Sequence, residues 1–587
     1  MTKSPKKVLL PGGIDNFYDL ITHRDDEGNH CIFVDKTLFI KAFIGSSDKI
    51  TLITRPRRFG KTLTLSMLQH FLAADVNGKS TKGLFEGLNI SKHPETMQYQ
   101  GQHPVIFLTL KEAKGDNFEQ LFERVGSIIK ETFQSHRYLL DTQLAEEDYA
   151  TFKKILNEEA TQKDYESSLS LLSRLLEHHT GKNVYILLDE YDTPINDSYV
   201  NDYYEACRSF LAAMFAKTFK GNASLNRGLI TGILKIAKAS LFSGMNNLEV
   251  YTMLDDARYP HYFGFTEKET DDLLDRAGLP QKAHELKEMY NGYTLEGHTL
   301  LNPFSIVSFI KKALLLHKEE IDKALQPYWI NTGGTHLIGD LLRNNLSKVK
   351  RDFTALLNGK PIKTPINENI IFNPNLKNDS ISFWSLLLLA GYVKSIKREK
   401  DEFNTYIHTI SFPNDEIRFS MRELLLNVSF GHENASIMID AMTQLARGHV
   451  DAFVAFVRDY LRYSVSYFDR NKEEPEQPYR LLLLGMAAFY ANTHYVRSKR
   501  ESGDGRYDIS LEPKNKDWKG IIIELKAAKE GEDLKKEAQK AYDQILTMGY
   551  NTDMESRGIK DFVLLGMAFR KKEIEAVNNE LPEHKNR

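Results

Sequence analysis

The stretch KITLITRPRRFGKTLTLSML, residues 49–68, has the pattern of a strand, a short loop and a helix. Its first part is rich in Ile, Leu and Thr, as buried strands are. Gly60, Lys61 and Thr62 then stand where the helix begins. A glycine there lets backbone N–H groups close on phosphate oxygens, a lysine reaches the β- and γ-phosphates, and a hydroxyl can bind Mg²⁺. These residues predict the second half of a phosphate-binding loop.

The first half of this loop departs from the usual pattern. Arg55 occupies the position of the first glycine, and Pro56 follows it. Arg57, Arg58 and Phe59 complete the loop. The two later arginines can contact phosphate, act on the nucleotide of a neighbouring subunit, or be solvated or paired with acids, and the sequence leaves these alternatives open. Alone, the tripeptide Gly-Lys-Thr is a weak signal.

Two later apolar runs, at residues 183–190 and 227–234, strengthen the prediction. The first, NVYILLDE, ends in Asp189 and Glu190. Two acids at the end of a buried strand can orient a metal ion and polarise an attacking water. The second, RGLITGIL, carries Thr231; this residue either senses the γ-phosphate or is a buried threonine satisfied by the backbone.

Taken in order along the chain, these motifs favour binding of ATP with Mg²⁺ over a purely structural role. Thr62 and Asp189 are the predicted metal ligands, and Glu190 is the candidate base for hydrolysis.

These runs and a further one, HPVIFLTL at residues 103–110, alternate with helical patterns. This alternation predicts an α/β fold with a parallel sheet covered on both faces. We expect a P-loop NTPase domain over residues 1–265, a mainly helical middle region over 266–470, and a separate small α/β domain over 471–587. The acidic stretch NKEEPEQP, residues 471–478, is the expected linker, and residues 348–412 are more mixed, with a small winged or hairpin element.

A second cluster of charged residues lies near the C-terminus, in RESGDGRYDISLEP and KGIIIELKAA. The two-residue period of a strand puts Glu524 and Lys526 on one face, and Asp508 on the neighbouring strand can face Glu524. Two converging carboxylates make a hard-oxygen Mg²⁺ site, and the lysine can orient the nucleophile or neutralise a phosphate. The alternative is a solvated edge strand with a salt bridge.

Motifs spread over most of the chain resemble those of AAA-ATPase-like bacterial proteins that carry a C-terminal PD-(D/E)XK nuclease-superfamily domain. The matching segments are FVDKT (33–37), RPRRFGKT (55–62), FGFT (263–266), YNGY (290–293), NPFSI (302–306), YWINT (328–332), LAGYV (389–393) and the run from RESGDGRYD to IIIELK. In that family arginine replaces the first P-loop glycine, so Arg55 agrees with the resemblance.

The resemblance implies a restriction-endonuclease-like fold for the last domain and nucleic acid, DNA in particular, as its substrate. It also implies a catalytic role for Gln544 on the following helix, and it makes Glu476 a weaker candidate for an upstream acid. Basic residues around the second cluster could track a phosphate backbone, although a charge-rich loop is more often merely soluble; they are Arg497, Lys499, Arg500, Arg506, Lys514, Lys516 and Lys519, interleaved with Tyr507 and Trp518.

Composition excludes several classes of protein. The formal net charge of −3 is not that of a globally basic nucleic-acid binder, and two cysteines cannot form a disulfide framework. The most apolar stretch, residues 383–393, is about half the ~20 residues of a membrane span and predicts a buried helix. We expect a cytoplasmic protein with no membrane partner, and self-association into a homo-oligomer stays open.

Two functional hypotheses follow. The favoured one is an ATPase whose nucleotide state gates a metal-dependent nuclease. The other is a nucleotide-dependent switch or scaffold whose nuclease fold binds a partner without cutting.

Overall fold

The computed structural model describes residues 9–10, 13–236, 241–242, 245–329, 335–369, 379–430, 432–463, 476–487, 490, 493–502, 505–516 and 518–579. Most of the predicted linker (471–475) and the glycine-rich turn at 503–504 therefore lie outside the described residues. The chain divides into two compact units. The first comprises Met1–Leu341 and Lys363–Ile417, and the second comprises Leu342–Ile362 and Arg418–Arg587. The three-domain division of the sequence stays a prediction.

The strands are β1 Ile50–Thr54, β2 Asp75–Val76, β3 Lys79–Ser80, β4 Val105–Thr109, β5 Val184–Asp189, β6 Leu225–Gly232, β7 Leu248–Tyr251, β8 Phe265–Thr266, β9 Tyr293–Leu295, β10 His298–Leu301, β11 Ile362–Pro365, β12 Lys394–Lys400, β13 Tyr406–Ser411, β14 His494–Ser502, β15 Gly505–Pro513, β16 Gly520–Ala527, β17 Phe562–Arg570 and β18 Glu573–Asn578.

The α-helices are α1 Phe17–Thr22, α2 Leu38–Ile44, α3 Lys61–Leu72, α4 Pro94–Met97, α5 Phe118–Ser135, α6 Glu146–Leu156, α7 Gln162–Thr180, α8 Thr193–Val200, α9 Tyr204–Phe219, α10 Glu267–Ala277, α11 Ala283–Tyr290, α12 Pro303–Leu315, α13 Thr335–Leu357, α14 Ser380–Leu389, α15 Asp415–Phe430, α16 His432–Ala446, α17 Val450–Tyr463, α18 Gln477–Ala487, α19 Leu534–Thr547 and α20 Thr552–Ser556. Short 3₁₀ helices span Asn89–Lys92, Arg137–Asp141, Pro280–Lys282 and Lys318–Ala324.

The first unit is built on a five-stranded parallel sheet with the order β4-β5-β6-β1-β7. Every side chain of β1 and β5 is buried, because both faces of the sheet are covered. The α/β prediction is confirmed, and the four apolar runs form β1, β4, β5 and β6. Since β6 lies between β1 and β5, the ends of these three strands meet at one edge of the sheet.

Two small antiparallel sheets follow in the first unit, one of β8, β10 and β9 and one of β11, β13 and β12. The β12–β13 hairpin falls within the segment predicted to be mixed. The apolar stretch at residues 383–393 forms the second half of α14, whose residues from Phe383 onward are buried, and then a turn.

The second unit contains a five-stranded mixed sheet with the order β14-β15-β16-β17-β18, in which only β16 and β17 run parallel. One apolar cluster packs residues of α15 to α18 against the sheet, and another joins it to α19. The predicted α/β fold of the C-terminal region is confirmed. Across the described stretches, no helix combines the length and the apolar composition that crossing a bilayer demands.

Candidate functional site

The phosphate-loop residues lie at the carboxyl edge of the parallel sheet. β1 ends at Thr54, and α3 begins directly after Gly60. Gly60 has a φ of 82° and Arg58 a φ of 64°. Left-handed residues in a loop turn backbone N–H groups toward one side and make a concavity suited to an anion. The N-terminus of α3 adds the positive end of its dipole.

The ammonium group of Lys61 is folded onto this loop. Its Nζ donates to the carbonyl oxygens of Arg55 at 3.0 Å and Pro56 at 2.9 Å. Burial lowers the pKa of Lys61, and the negative charges nearby, first that of Asp189, oppose this shift. Phosphate oxygens are stronger acceptors than neutral carbonyls, so an anion in the loop would compete for this lysine.

Asp189 lies between two threonines at the ends of neighbouring elements. Its Oδ2 accepts from Thr62 Oγ1 at 2.6 Å, and its Oδ1 accepts from Thr231 Oγ1 at 2.6 Å. Burial raises the pKa of the Asp189 carboxyl, and the two hydroxyl donors counteract this. The three residues predicted from separate motifs are thus brought into one hydrogen-bonded group.

The acids after Asp189 differ in their surroundings. Glu190 has a φ of 52°, and its Oε2 accepts from Thr193 Oγ1 at 3.1 Å. Asp192, which is not among the residues predicted from the sequence, is buried, and its Oδ2 accepts from the backbone of Ile233 at 3.0 Å and Leu234 at 2.9 Å. Burial raises the pKa of Asp192. Its place three residues after Asp189 was the signal that could have identified it.

Arg55 faces the interior of the unit. Its side chain is 0% exposed and forms an ion pair with Asp256, and its guanidinium lies 5.3 Å from the centroid of the Phe263 ring. In this conformation the side chain cannot reach a ligand. The position contributes its carbonyl oxygen, which accepts from Lys61. Asp256 is not among the predicted residues, because it lies 201 positions away along the chain.

The other loop residues are held by later parts of the chain. Pro56 and Phe59 are buried, whereas Arg58 is exposed and its guanidinium lies 4.8 Å from the centroid of the Phe304 ring. The Arg57 side chain lines a small cavity with Tyr392 and other residues.

In the second unit, Asp508 and Glu524 converge. The backbone N–H of Asp508 donates to Glu524 Oε2 at 3.2 Å, and the backbone N–H of Leu525 donates to Asp508 Oδ2 at 3.0 Å. Glu524 is only 4% exposed. Burial, together with the charge of Asp508, raises the pKa of Glu524 to about 8.

Lys526 and Gln544 belong to the same hydrogen-bonded group. Gln544 Nε2 donates to Glu524 Oε1 at 2.6 Å, and Lys526 Nζ donates to Gln544 Oε1 at 2.6 Å. Gln544 comes from α19, which packs closely over Gly566 of β17. A Cβ atom at Gly566 would lie 2.3 Å from the backbone nitrogen of Tyr542. The absence of a side chain at this position therefore brings the helix and its glutamine near the acids.

Two residues near α18 complete the surroundings. Arg480 Nη1 lies 3.3 Å from Asp508 Oδ1, and both side chains are largely buried. Glu476 Oε1 accepts from the backbone N–H of Ala527 at 3.2 Å, and its charge adds to the upward pKa shift of Glu524. The weakly predicted upstream acid therefore lies beside the group. Arg480 was not predicted as a site residue from the sequence. The feature that could have indicated it is its position four residues after Glu476.

The donor set suits a hard divalent cation, because it consists of carboxylate oxygens whose mutual repulsion such a cation would relieve. Within the described residues, however, no group of three or more His, Cys, Asp and Glu is arranged to hold a metal ion. A cation bound by Asp508 and Glu524 would therefore need further ligands from water or substrate.

The predicted basic surface is only partly described. Arg497 forms an ion pair with Glu512, which also accepts from Arg557 Nε at 2.6 Å. Lys514 Nζ lies 5.5 Å from the centroid of the Tyr495 ring. The side chains of Lys499, Arg500 and Arg506 lie outside the described residues. Arg497 is thus engaged by an acid.

Known proteins similar to this chain include one relative and one solved structure. The chain is 27% identical over 437 residues to an "uncharacterized protein in vnfD 5'region" of Azotobacter chroococcum mcd 1, covering 73% of this chain and 72% of that protein. The solved structure is that of the Aeropyrum pernix ORC2 protein in ADPNP–ADP complexes, with 11% identity, 66% of this chain and 92% of that chain covered, and a TM-score of 0.27. A score that low does not establish a common fold.

Two sequence families match separate parts of the chain. Residues 11–242 match the family described as "Predicted AAA-ATPase", and they contain the phosphate loop and the acids that follow β5. Residues 474–579 match the PD-(D/E)XK nuclease superfamily, and they contain Asp508, Glu524 and Lys526. The chain therefore carries a domain of the predicted AAA-ATPase family followed by a domain of the PD-(D/E)XK nuclease superfamily.

Proposed function

We propose that this protein binds and hydrolyses ATP with Mg²⁺ in its first unit, and that its second unit cleaves nucleic acid, DNA in particular, in a metal-dependent reaction that is gated by the nucleotide. The observation that carries the first half is the bonding of Thr62 and Thr231 to one buried carboxylate, Asp189, beside the phosphate loop.

In the proposed ATPase, bound Mg–ATP supplies the phosphoryl group and its charge-neutralising cation. Lys61 exchanges its loop carbonyls for phosphate oxygens, and Thr62 and Asp189 bind the cation. Thr231 keeps Asp189 oriented through its hydroxyl. Glu190, at the end of the same strand, takes the proton of the attacking water. Asp192 accepts from two backbone N–H groups directly after β6 and so holds the end of the strand that carries Thr231.

In the proposed nuclease, Asp508 and Glu524 would hold a divalent cation, which would supply an activated water and neutralise the charge that develops on phosphate. Lys526 acts as a cationic partner of the phosphate, and Gln544 orients both Lys526 and Glu524 through its amide group. Arg480 must share or release Asp508 for the cation to bind, because it is the carboxylate's ionic partner.

The experiment compares four proteins: wild type, Lys61→Ala, Glu190→Gln and Asp508→Ala. We expect Mg-dependent phosphate release that is lost in Lys61→Ala and Glu190→Gln, with binding of ATP retained in the latter. Plasmid and single-stranded DNA, incubated with Mg²⁺ or Mn²⁺, should be cut by wild type and not by Asp508→Ala, and ATP should change the rate of cutting by wild type but not by Lys61→Ala. Equal cutting by wild type and Asp508→Ala would refute the nuclease half.

One observation favours a second function, a nucleotide-dependent scaffold. Internal donors already engage both acids: Arg480 and the backbone of Leu525 bind Asp508, and Gln544 binds Glu524. These donors bind the carboxylate oxygens without a metal ion. If no nucleic acid is cut under any condition while ATP is still bound, the scaffold explains the chain better.

A further inference from the structure

Six residues from segments far along the chain surround the phosphate loop within the first unit. We call this group the collar; its members are Gly264, Tyr293, Asn302, Phe304, Trp329 and Gly391. Each belongs to one of the motifs FGFT, YNGY, NPFSI, YWINT and LAGYV. Most of them lie beyond residue 265, so the predicted boundary of the ATPase domain does not contain them.

The centre of the collar is the carbonyl oxygen of Arg57, which accepts two hydrogen bonds. Trp329 Nε1 donates to it at 3.2 Å, and Asn302 Nδ2 donates to it at 3.3 Å. The C=O and N–H of a trans peptide point in opposite directions. A fixed Arg57 carbonyl therefore also fixes the N–H of Arg58, which points away from the two donors.

The remaining contacts hold the loop on either side of this peptide. The Phe304 ring lies against Arg58, whose backbone is left-handed, and the Phe59 ring lies 5.1 Å from that of Tyr293. The backbone N–H of Gly264 donates to the Phe59 carbonyl at 3.1 Å. The left-handed backbone of Arg58 is a strained conformation for a non-glycine residue, and these contacts hold the loop on both sides of it.

Gly391 packs closely against Pro56 of the loop because it has no side chain. A Cβ atom there would lie 2.5 Å from Pro56 Cγ, and the residue's φ of 83° also favours glycine. The Gly391 carbonyl accepts from the Tyr293 hydroxyl at 2.8 Å, which links two members of the collar. The buried carboxylate of Glu416 accepts from the backbone N–H of Trp329 at 2.9 Å and anchors that residue.

From these contacts we infer that the collar completes the nucleotide site. Asn302 and Trp329 are positioning residues that hold the loop in its phosphate-binding conformation, so that ATP affinity depends on residues outside the region matched by the ATPase family. This inference rests on the ATP-binding half of the proposed function. It predicts that breaking the two bonds to the Arg57 carbonyl weakens nucleotide binding with the phosphate-binding side chains left intact.

The test uses Asn302→Ser and Trp329→Phe in the full chain. Asn302 also caps α12 by accepting from the backbone N–H of Phe304; serine preserves that cap but is too short to reach Arg57. Phenylalanine at 329 keeps the ring packing against Tyr392 and removes the indole donor. The matched control is Asn117→Ser, which changes a cap of α5 that accepts from Gln120.

Mg–ATP affinity is measured by titration calorimetry, alongside the thermal midpoint of the nucleotide-free protein. One neutral hydrogen bond corresponds to roughly a fivefold change in an equilibrium constant. We expect each variant to bind ATP about fivefold more weakly and the double variant about 25-fold, with Asn117→Ser within about twofold of wild type. Wild-type affinity in the folded double variant would overturn the role of the collar and leave ATP binding standing, whereas a wild type that binds no ATP would overturn both.

A second measurement responds only to the contact itself. The chain has three tryptophans, so Trp384→Phe with Trp518→Phe leaves Trp329 as the sole emitter. Adding Mg–ATP should shift its emission, because the indole N–H is bonded to the peptide whose own N–H, that of Arg58, is inferred to face the phosphates. The shift should vanish in Lys61→Ala. An ATP-binding protein whose Trp329 emission does not respond contradicts the inference.

Discussion

Thr231 and Thr51 are both fully buried threonines of the parallel sheet, on adjacent strands, but their hydroxyl groups differ. Thr231 donates to Asp189 at 2.6 Å, while within the described residues the Thr51 hydroxyl has no hydrogen-bond partner. Valine has the shape of threonine without the hydroxyl. Replacing each threonine by valine therefore separates the contribution of the hydrogen bond to stability from the contribution of burial.

We expect Thr231→Val to lower the free energy of unfolding of the first unit by about 1–3 kcal/mol, because it leaves an oxygen of a buried carboxylate unsatisfied. Thr51→Val should change it by less than about 0.5 kcal/mol or raise it, since an unpaired buried hydroxyl is removed. Urea unfolding of both variants measures this. Equal losses would mean that the Thr231–Asp189 bond contributes nothing specific.

Glu524 gives a prediction about pH. Its pKa of about 8 in the folded protein exceeds the value of about 4.3 expected for an unfolded chain. Between these two pH values the folded state binds more protons than the unfolded state, so the carboxyl makes the protein progressively less stable as the pH rises, and the effect levels off above pH ~8.

Glutamine at position 524 has no ionisable group, so the variant lacks this pH dependence. We therefore expect the metal-free variant to gain stability relative to wild type between pH 5 and pH 8, by up to a few kcal/mol. Denaturant unfolding in EDTA at several pH values measures the difference. A difference that stays constant across this range would contradict the raised pKa.

At the level of single residues, local motifs singled out Thr62 and Asp189 as metal ligands and Thr231 as either a phosphate sensor or a structural threonine, because each lies in or directly after a recognisable strand or loop. Their partners were not predictable in the same way. Trp329 lies 272 positions from the residue whose carbonyl it binds, and Asp256 lies 201 positions from Arg55. Only the folded chain brings such residues together, so the role of a distant motif becomes clear only after its contact is seen.

Among the elements, continuous apolar runs bounded by polar or Gly/Pro residues identified β1, β4, β5 and β6. The same criterion did not identify β7, because β7 is a four-residue edge strand with one buried side chain, Leu248. β12, with the sequence KSIKREK, is largely exposed and carries four basic residues. Its pairing with β13, rather than any apolar pattern, makes it a strand.

The contact between α19 and β17 yields a prediction for an element. In Gly566→Ala, the new methyl group would lie 2.3 Å from the Tyr542 nitrogen and 2.5 Å from the Ala538 carbonyl oxygen, both in the helix backbone. The helix must move outward, and Gln544 moves with it. We expect a loss of about 1–3 kcal/mol of unfolding free energy.

If the proposed nuclease is active, Gly566→Ala should also reduce cutting at least tenfold at temperatures where the variant is folded, because Gln544 no longer reaches Glu524. Gln544→Ala is the matched comparison, since it removes the amide and leaves the helix in place. If the Gly566→Ala protein is less stable but cuts at the wild-type rate, the packing of α19 against β17 does not control the activity of the site.

For the whole molecule, the two compact units have separate apolar cores: one lies against the parallel sheet and the others against the mixed sheet. Each unit therefore has its own source of stability, and we expect two thermal transitions in calorimetry. A ligand that binds only the folded form of one unit raises only that transition, by about 2.7 kcal/mol at a concentration of 100 Kd.

Mg–ATP should therefore raise the transition of the first unit, and Lys61→Ala should abolish that shift without moving the other transition. Glu524→Gln and Gly566→Ala should move only the transition of the second unit. A mutation in one unit that shifts both midpoints equally would show that the chain unfolds as a single cooperative body. In that case the effect of ATP on the nuclease-family domain would follow from shared stability alone, and the specific gating proposed for the two sites would lose its basis.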